Sequence, residues 1–152
     1  METPFWEAAG LRSSGVTGFE VMDHTADVGI RATGDTLADA FANAARGMFS
    51  IITDLDTVQP SESRQVTVTA PDMDALLVNW LNELIYLFEV DGLLLVDFAI
   101  HSLSDTRLTA NCAGERVDPE RHPIKTGVKA ATYHGLEVRQ GHPCHIQVIL
   151  DI

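Results

Sequence analysis

Two acidic residues beside apolar runs are the residues best suited to chemistry in this chain. Asp27 closes a polar cluster, DHTAD at 23–27, and Asp151 lies between the apolar run 148–150 and Ile152. Hard cations such as Ca²⁺ and Mg²⁺ take oxygen ligands, and two carboxylates with main-chain or terminal oxygens can form an incomplete cage. We therefore predict that the two acids meet in space and hold one metal ion. The ordinary alternative is that Asp27 caps a turn and Asp151 is a solvated end residue.

Other reactive residues give weaker signals. His24 lies close to Asp27 in the chain, and a His–Asp pair can serve acid–base catalysis. The chain has no serine or cysteine in a nucleophile elbow, no HExxH motif and no standard nucleotide-binding loop. The run HPCH at 142–145 does not suit a compact zinc site, because Cys144 and His145 would point to opposite faces of a strand. Glu83 and Lys129 are most simply solvated residues.

Apolar residues repeat at helical spacing in two segments. The first helix is predicted to begin at Thr36, which can cap it, with Asp39 completing a capping box. The second is capped by Asp72 and ends at Asp91 and Gly92. The stripes that we expect to face the core are Leu37, Phe41, Ala44, Met48 and Ile52 in the first helix and Leu76, Leu77, Trp80, Leu81, Leu84, Ile85 and Phe88 in the second.

Alternating apolar and polar residues predict strands, most of them late in the chain. They cover residues 19–21, 28–32, 65–70, 93–100, 108–112, 128–133, 136–138 and 145–150. The charged run 114–123 predicts an exposed loop. Together these elements favour a single two-layer α+β domain. Its two main helices would pack on one face of a mixed, largely antiparallel sheet of about seven strands.

Composition limits the class of protein. The chain has 152 residues and 45% hydrophobic residues, which suit one globular domain over residues 19–152, after a flexible extension at 1–18. The formal net charge of −12 argues against direct, tight nucleic-acid binding and suits docking on a basic partner. Cys112 and Cys144 form no CxxC motif, so two free thiols in a reducing compartment such as the cytoplasm are expected. No membrane span or secretory signal is predicted.

Five ordered blocks of this sequence resemble the archease family. They are DHTADVGI at 23–30, GMF at 47–49, LLVNWLNEL at 76–84, VKAATYH at 128–134 and VILDI at 148–152. The resemblance covers about residues 19–152, and the extension before Gly18 has no counterpart in it. Five blocks in the right order are far more specific than any one of them.

The resemblance implies a function that composition does not. Archeases are small, non-catalytic accessory proteins of a GTP-dependent RNA ligase in tRNA splicing and RNA repair. That ligase joins a 3′-phosphate or 2′,3′-cyclic phosphate end to a 5′-hydroxyl end, and the archease promotes its guanylylation and multiple turnover. In the family a divalent metal is held by residues that match Asp27, Asp151 and Ile152, with calcium the first choice and magnesium or manganese the alternatives. We expect His24, Glu83 and Lys129, within the matching blocks, to contact the partner ligase.

Two other classes of function stay open. One is a stand-alone metal-dependent phosphatase or nuclease, in which His24 would act as the base. The other is a chaperone-like binding module without metal chemistry. Assays of the pure protein with nucleotides and RNA address the first, and exchange of Asp27 and Asp151 for alanine addresses the second.

Overall fold

A computed structural model describes residues 18–23 and 27–152. His24 and residues 1–17 of the predicted flexible extension lie outside the described residues, whereas Gly18, the last residue of that extension, begins the first strand. The elements in chain order are β1 (Gly18–Asp23), β2 (Asp27–Gly34), α1 (Leu37–Ile52), a 3-10 turn (Leu55–Thr57), β3 (Glu62–Thr69), α2 (Met73–Asp91), β4 (Leu93–Leu103), β5 (Arg107–Arg116), β6 (Ala130–Arg139) and β7 (Cys144–Asp151).

Both helices begin at the residues that the sequence predicts. The Thr36 hydroxyl accepts a hydrogen bond from the Asp39 N–H at 3.1 Å, and the Asp72 carboxylate accepts one from the Ala75 N–H at 2.8 Å. Each bond satisfies a backbone donor that the first turn leaves without a helical partner. Helix α2 ends at Gly92, whose φ of 67° lies in the left-handed region that glycine adopts without strain.

The described strands form two sheets, in the orders β1-β2-β7-β6 and β3-β5-β4. Every strand pairing in them is antiparallel. The predicted α+β fold with two helices packed on largely antiparallel strands is confirmed. The prediction of one mixed sheet is corrected to two antiparallel sheets. Helix α1 and the 3-10 turn lie between β2 and β3, and residues 117–129 lie between β5 and β6, so β3, β4 and β5 pair only with one another.

The helices join the two sheets into one core. Helix α1 packs on β2 and β4, and α2 packs on β6 and β3, so each helix contacts both sheets. Trp80 is completely buried, and its indole N–H donates to the Phe41 carbonyl at 3.1 Å. The predicted core residues Phe41, Met48, Leu81 and Leu84 are also fully buried, whereas Phe88 is partly buried against them.

Two local predictions need correction. The segments 128–133 and 136–138 are parts of one strand, β6, which is interrupted by a bulge. Extra residues in one strand leave the pairing locally broken, and this break resembles a turn in the sequence. Strand β3 begins at Glu62, earlier than the predicted start at Gln65.

Candidate metal centre

Strand pairing brings the two predicted acidic ligands together. Asp27 is the first residue of β2 and Asp151 the last of β7, and the antiparallel register places them directly opposite each other. Residues opposite each other in such a pair project to the same face of the sheet, with Cβ atoms about 4.5–5.5 Å apart. Asp151 is exposed and Asp27 partly exposed. The two carboxylates, called the acid pair below, can therefore reach one ion from solvent.

The third strand leaves room beside the acid pair. Ala130, the first residue of β6, lies opposite Asp151 and presents only a methyl group. The backbone N–H of Lys129 donates to the Asp151 carbonyl at 2.8 Å, which fixes the strand end. The side chain of Ile152 packs against the core and holds the backbone that follows Asp151.

A small apolar cluster supports the acid pair from the same face of the sheet. A Cβ atom on Gly29, two residues after Asp27, would lie 2.7 Å from Cε of Met22 and 3.2 Å from Cδ1 of Ile149. Met22 and Ile149 are 3% and 6% exposed. Their side chains fill the space above Gly29. These two side chains pack the sheet face next to the acid pair.

The donor set fits an incomplete oxygen cage. Within residues 18–23 and 27–152, no three His, Cys, Asp or Glu side chains form a group that could hold a metal ion. Asp27 and Asp151 supply two carboxylates, and Ile152 can supply main-chain oxygen. Mg²⁺ is commonly bound by one or two carboxylates with the rest of its shell as water, and Ca²⁺ accepts mixed carboxylate, carbonyl and water ligands. Metal binding by these three residues stays a prediction.

The predicted partner contacts Lys129 and Glu83 lie on β6's N-terminal side and on α2, respectively. Lys129 is exposed and directly precedes Ala130. Glu83 is partly buried on α2, next to Asn82, whose side-chain oxygen accepts a hydrogen bond from the Ala131 N–H at 2.8 Å. This bond ties α2 to β6 one residue from the row of the acid pair. His24 falls outside the described residues.

One cluster was missed by sequence reasoning. The predicted exposed loop 114–123 is wrong for Glu115 and His122, which are 9% and 1% exposed. The guanidinium of Arg121 donates to Glu115 at 2.8 and 3.2 Å, and the backbone N–H of Gln59 donates at 2.9 Å. The Arg121 bonds, followed by the Gln59 bond, lower the pKa of Glu115 to about 2.

The hydrogen bonds of the same cluster fix the tautomer of His122. Its Nδ1 accepts from the Asp118 N–H at 2.8 Å, so its Nε2, 2.8 Å from Glu115, carries the proton and donates. The loop that leads to Lys129 is also held at its middle, where the Lys125 N–H donates to the Ile52 carbonyl at 2.7 Å. A histidine within a charged run carries no sequence signal of burial, so this cluster, Glu115 with Arg121 and His122, could not be predicted.

The cysteines have structural positions. Cys112 is fully buried in β5, as expected for a core residue, and burial raises the pKa of its thiol to about 12. A thiol in this state is a poor nucleophile and a poor metal ligand. Cys144 is also buried and reduced.

The described structure defines a class: a small α+β protein with two helices packed on two antiparallel sheets, in which two acidic residues lie opposite each other at one strand end. The family model for the archease protein family (MTH1598/TM1083) matches residues 19–152. The chain belongs to the archease family.

Relatives support this assignment over most of the chain. Protein archease of Methanosarcina acetivorans is 40% identical over 139 residues, covering 88% of this chain and 95% of that protein. Protein archease of Pyrococcus abyssi is 38% identical over 125 residues, covering 80% of this chain and 88% of that protein.

Solved structures agree with the fold. The solution structure of protein 1598 from Methanobacterium thermoautotrophicum has a TM-score of 0.75 and 36% identity, covering 89% of this chain and 99% of that one. The crystal structure of an archease from Thermotoga maritima, described as a possible chaperone, has a TM-score of 0.54 at 18% identity, covering 88% of this chain and 96% of that one, and supports the fold alone. In the described part of the chain, no helix is long and apolar enough to cross a membrane.

Proposed function

We propose that this protein is a non-catalytic activator of a GTP-dependent RNA ligase that acts in tRNA splicing and RNA repair. It would promote guanylylation of the ligase and its multiple turnover through a divalent metal held by Asp27, Asp151 and Ile152. Family membership supports the accessory role. The single observation that carries the metal-dependent part is the register that places Asp27 opposite Asp151.

The chain's own residues suit this role. A divalent ion bound next to GTP would neutralise charge on the phosphate oxygens. Asp27 and Asp151 lie at a strand end and face solvent, so they can be brought close to a site on another protein. The net charge of −12 would steer the chain to a basic ligase cleft rather than to RNA. Lys129, which is exposed beside Ala130, would contact the ligase or its phosphates.

The test is guanylylation and multiple-turnover joining by the cognate ligase at a low ratio of activator to ligase. Wild type should raise both rates, and Asp27→Asn/Asp151→Asn should remove the stimulation. The matched control is Asp56→Asn/Asp105→Asn, which removes the same two charges from exposed positions elsewhere and should stimulate like wild type. If the acid-pair variant stimulates as well as wild type, the metal-dependent mechanism is wrong. If wild type gives no stimulation, the accessory role is wrong.

A further inference from the structure

Helix α2 carries an exposed ridge that its packing does not require. Tyr86 and Val90 are 55% and 60% exposed, although they are large apolar side chains. Helical geometry places them one turn apart and in line with Glu83. The opposite side of α2 carries the buried Leu81 and Ile85. Glu83, Tyr86 and Val90, called the α2 ridge below, are therefore available to a partner.

The charged side chains of helix α2 itself are of one sign, and the basic Arg116 lies at the C-terminal end of the helix, where its guanidinium donates to the Asp91 carbonyl at 2.9 Å. The charged residues within α2 are Asp74, Glu83, Glu89 and Asp91, and the helix contains no lysine or arginine. Interfaces typically combine a buried aromatic or aliphatic centre with a polar rim, and tyrosine is enriched among the residues that dominate binding energy. An apolar pair with an acidic rim is complementary to an apolar groove with a basic rim.

A second copy of this chain is a poor occupant of the same surface. A two-fold interface would bring α2 against α2 and place acidic residues opposite each other. Like charges brought together in an interface repel each other, and the net charge of −12 adds to this repulsion. Charge complementarity therefore favours a basic partner.

The α2 ridge and the acid pair lie on connected elements. Asn82, one turn before Tyr86, holds the Ala131 N–H, and the neighbouring Ala130 lies opposite Asp151. Tyr133, only two residues beyond Ala131, is 60% exposed.

Tyr133 lies where β6 departs from regular pairing. The register with β7 shifts between Thr132 and Glu137, Gly135 has a φ of 64°, and the Gln147 side chain donates to the Gly135 carbonyl at 2.8 Å. Bulges of this kind redirect side chains near functional sites.

Asp27 and Asp151 alternate along their strands with the core residues Val28 and Leu150, so the acid pair projects from the sheet face opposite α2. A partner bound to α2 and Tyr133 would therefore reach the acid pair around the strand ends.

We propose that the α2 ridge with Tyr133 is the surface that docks the ligase, through an apolar groove with a basic rim beside the ligase nucleotide site. The proposal rests on the proposed function for the identity of the partner. It separates two tasks within the chain: the ridge supplies affinity, and the acid pair supplies activation.

The two tasks predict different defects in one titration of ligase guanylylation against activator concentration. Tyr86→Ser/Val90→Ser should raise the concentration for half-maximal stimulation by about tenfold or more and leave the plateau unchanged. Asp27→Asn/Asp151→Asn should lower the plateau. The control is Val21→Ser on β1, an exposed apolar residue at the opposite edge of the four-stranded sheet from β6, which should titrate like wild type.

Direct binding of labelled protein to the ligase separates the proposal from the function on which it rests. Weaker binding of the ridge variant, with normal binding of the Val21 variant, supports the docking surface even if no guanylylation is stimulated. Unchanged binding of the ridge variant overturns it. Sedimentation of the free proteins tests whether a second copy of this chain occupies the surface instead. If wild type is a dimer and the ridge substitutions convert it to a monomer, the surface is a contact between copies and the proposal is overturned.

Discussion

Glu115 shows how one side chain can link a surface loop to the strand that precedes it. Its carboxylate accepts from Arg121, His122 and the Gln59 backbone, and these bonds favour the charged form. Its pKa of about 2 in the folded protein lies below the ordinary value of 4.5. Between these two pH values Glu115 binds a proton in the unfolded chain but stays ionised in the folded protein. Its ionised carboxylate therefore stabilises the fold fully above pH 4.5 and progressively less towards pH 2.

This difference gives a prediction for acid stability. Glu115→Gln should flatten the fall in the free energy of unfolding between about pH 4.5 and 2, because glutamine has no proton to bind. Part of the slope should remain, since the bonds to Asp118 from the Glu120 N–H and from Arg121 also lower the pKa of that carboxyl. Urea titrations across this pH range measure the slope, and Glu120→Gln is the exposed control. An unchanged slope in Glu115→Gln would contradict the bonding described here.

Helix α2 has two faces with opposite energetic roles. Trp80 is fully buried, bonded to the Phe41 carbonyl and in edge contact with the Phe98 ring at 6.1 Å between centroids. Trp80→Ala should therefore cost about 3–5 kcal/mol of stability by denaturant titration. Tyr86→Ala on the exposed face should change stability by less than about 0.5 kcal/mol. A loss below about 1 kcal/mol for Trp80→Ala would show that Trp80 contributes little to the stability of the core.

The elements also show what local sequence could and could not predict. Thr36, Asp72 and Gly92 act within one helical turn, so both helices could be predicted from the sequence to within a residue or two. Pairing of strands far apart in the chain is set by tertiary packing. The separation into two sheets and the bulge in β6 therefore could not be predicted from local sequence.

The site divides in the same way. Asp27 and Asp151 were identified from residue type and family resemblance, and the register of β2 with β7 supplies their proximity. The buried cluster at Glu115 gave no signal, because its burial depends on Gln59 and Arg121 from separate segments.

At the scale of the whole molecule, a net charge of −12 attracts cations to many exposed acids. Bulk measurements of metal uptake would therefore not identify a site. A specific site must arise where carboxylates converge, and the register places such a convergence at Asp27 and Asp151. A residue-by-residue measurement is needed to distinguish an ion bound at the acid pair from ions attracted loosely by the other acidic residues.

Paramagnetic broadening of amide signals by substoichiometric Mn²⁺ is the most direct measurement of the central claim, that the acid pair binds a divalent ion. Signals of residues 27–29, 130 and 150–152 should broaden first, because they surround the two carboxylates. The Asp27→Asn/Asp151→Asn variant should lose this broadening, and Asp56→Asn/Asp105→Asn should keep it. Broadening spread over the acidic surface, and unchanged in the acid-pair variant, would contradict the account.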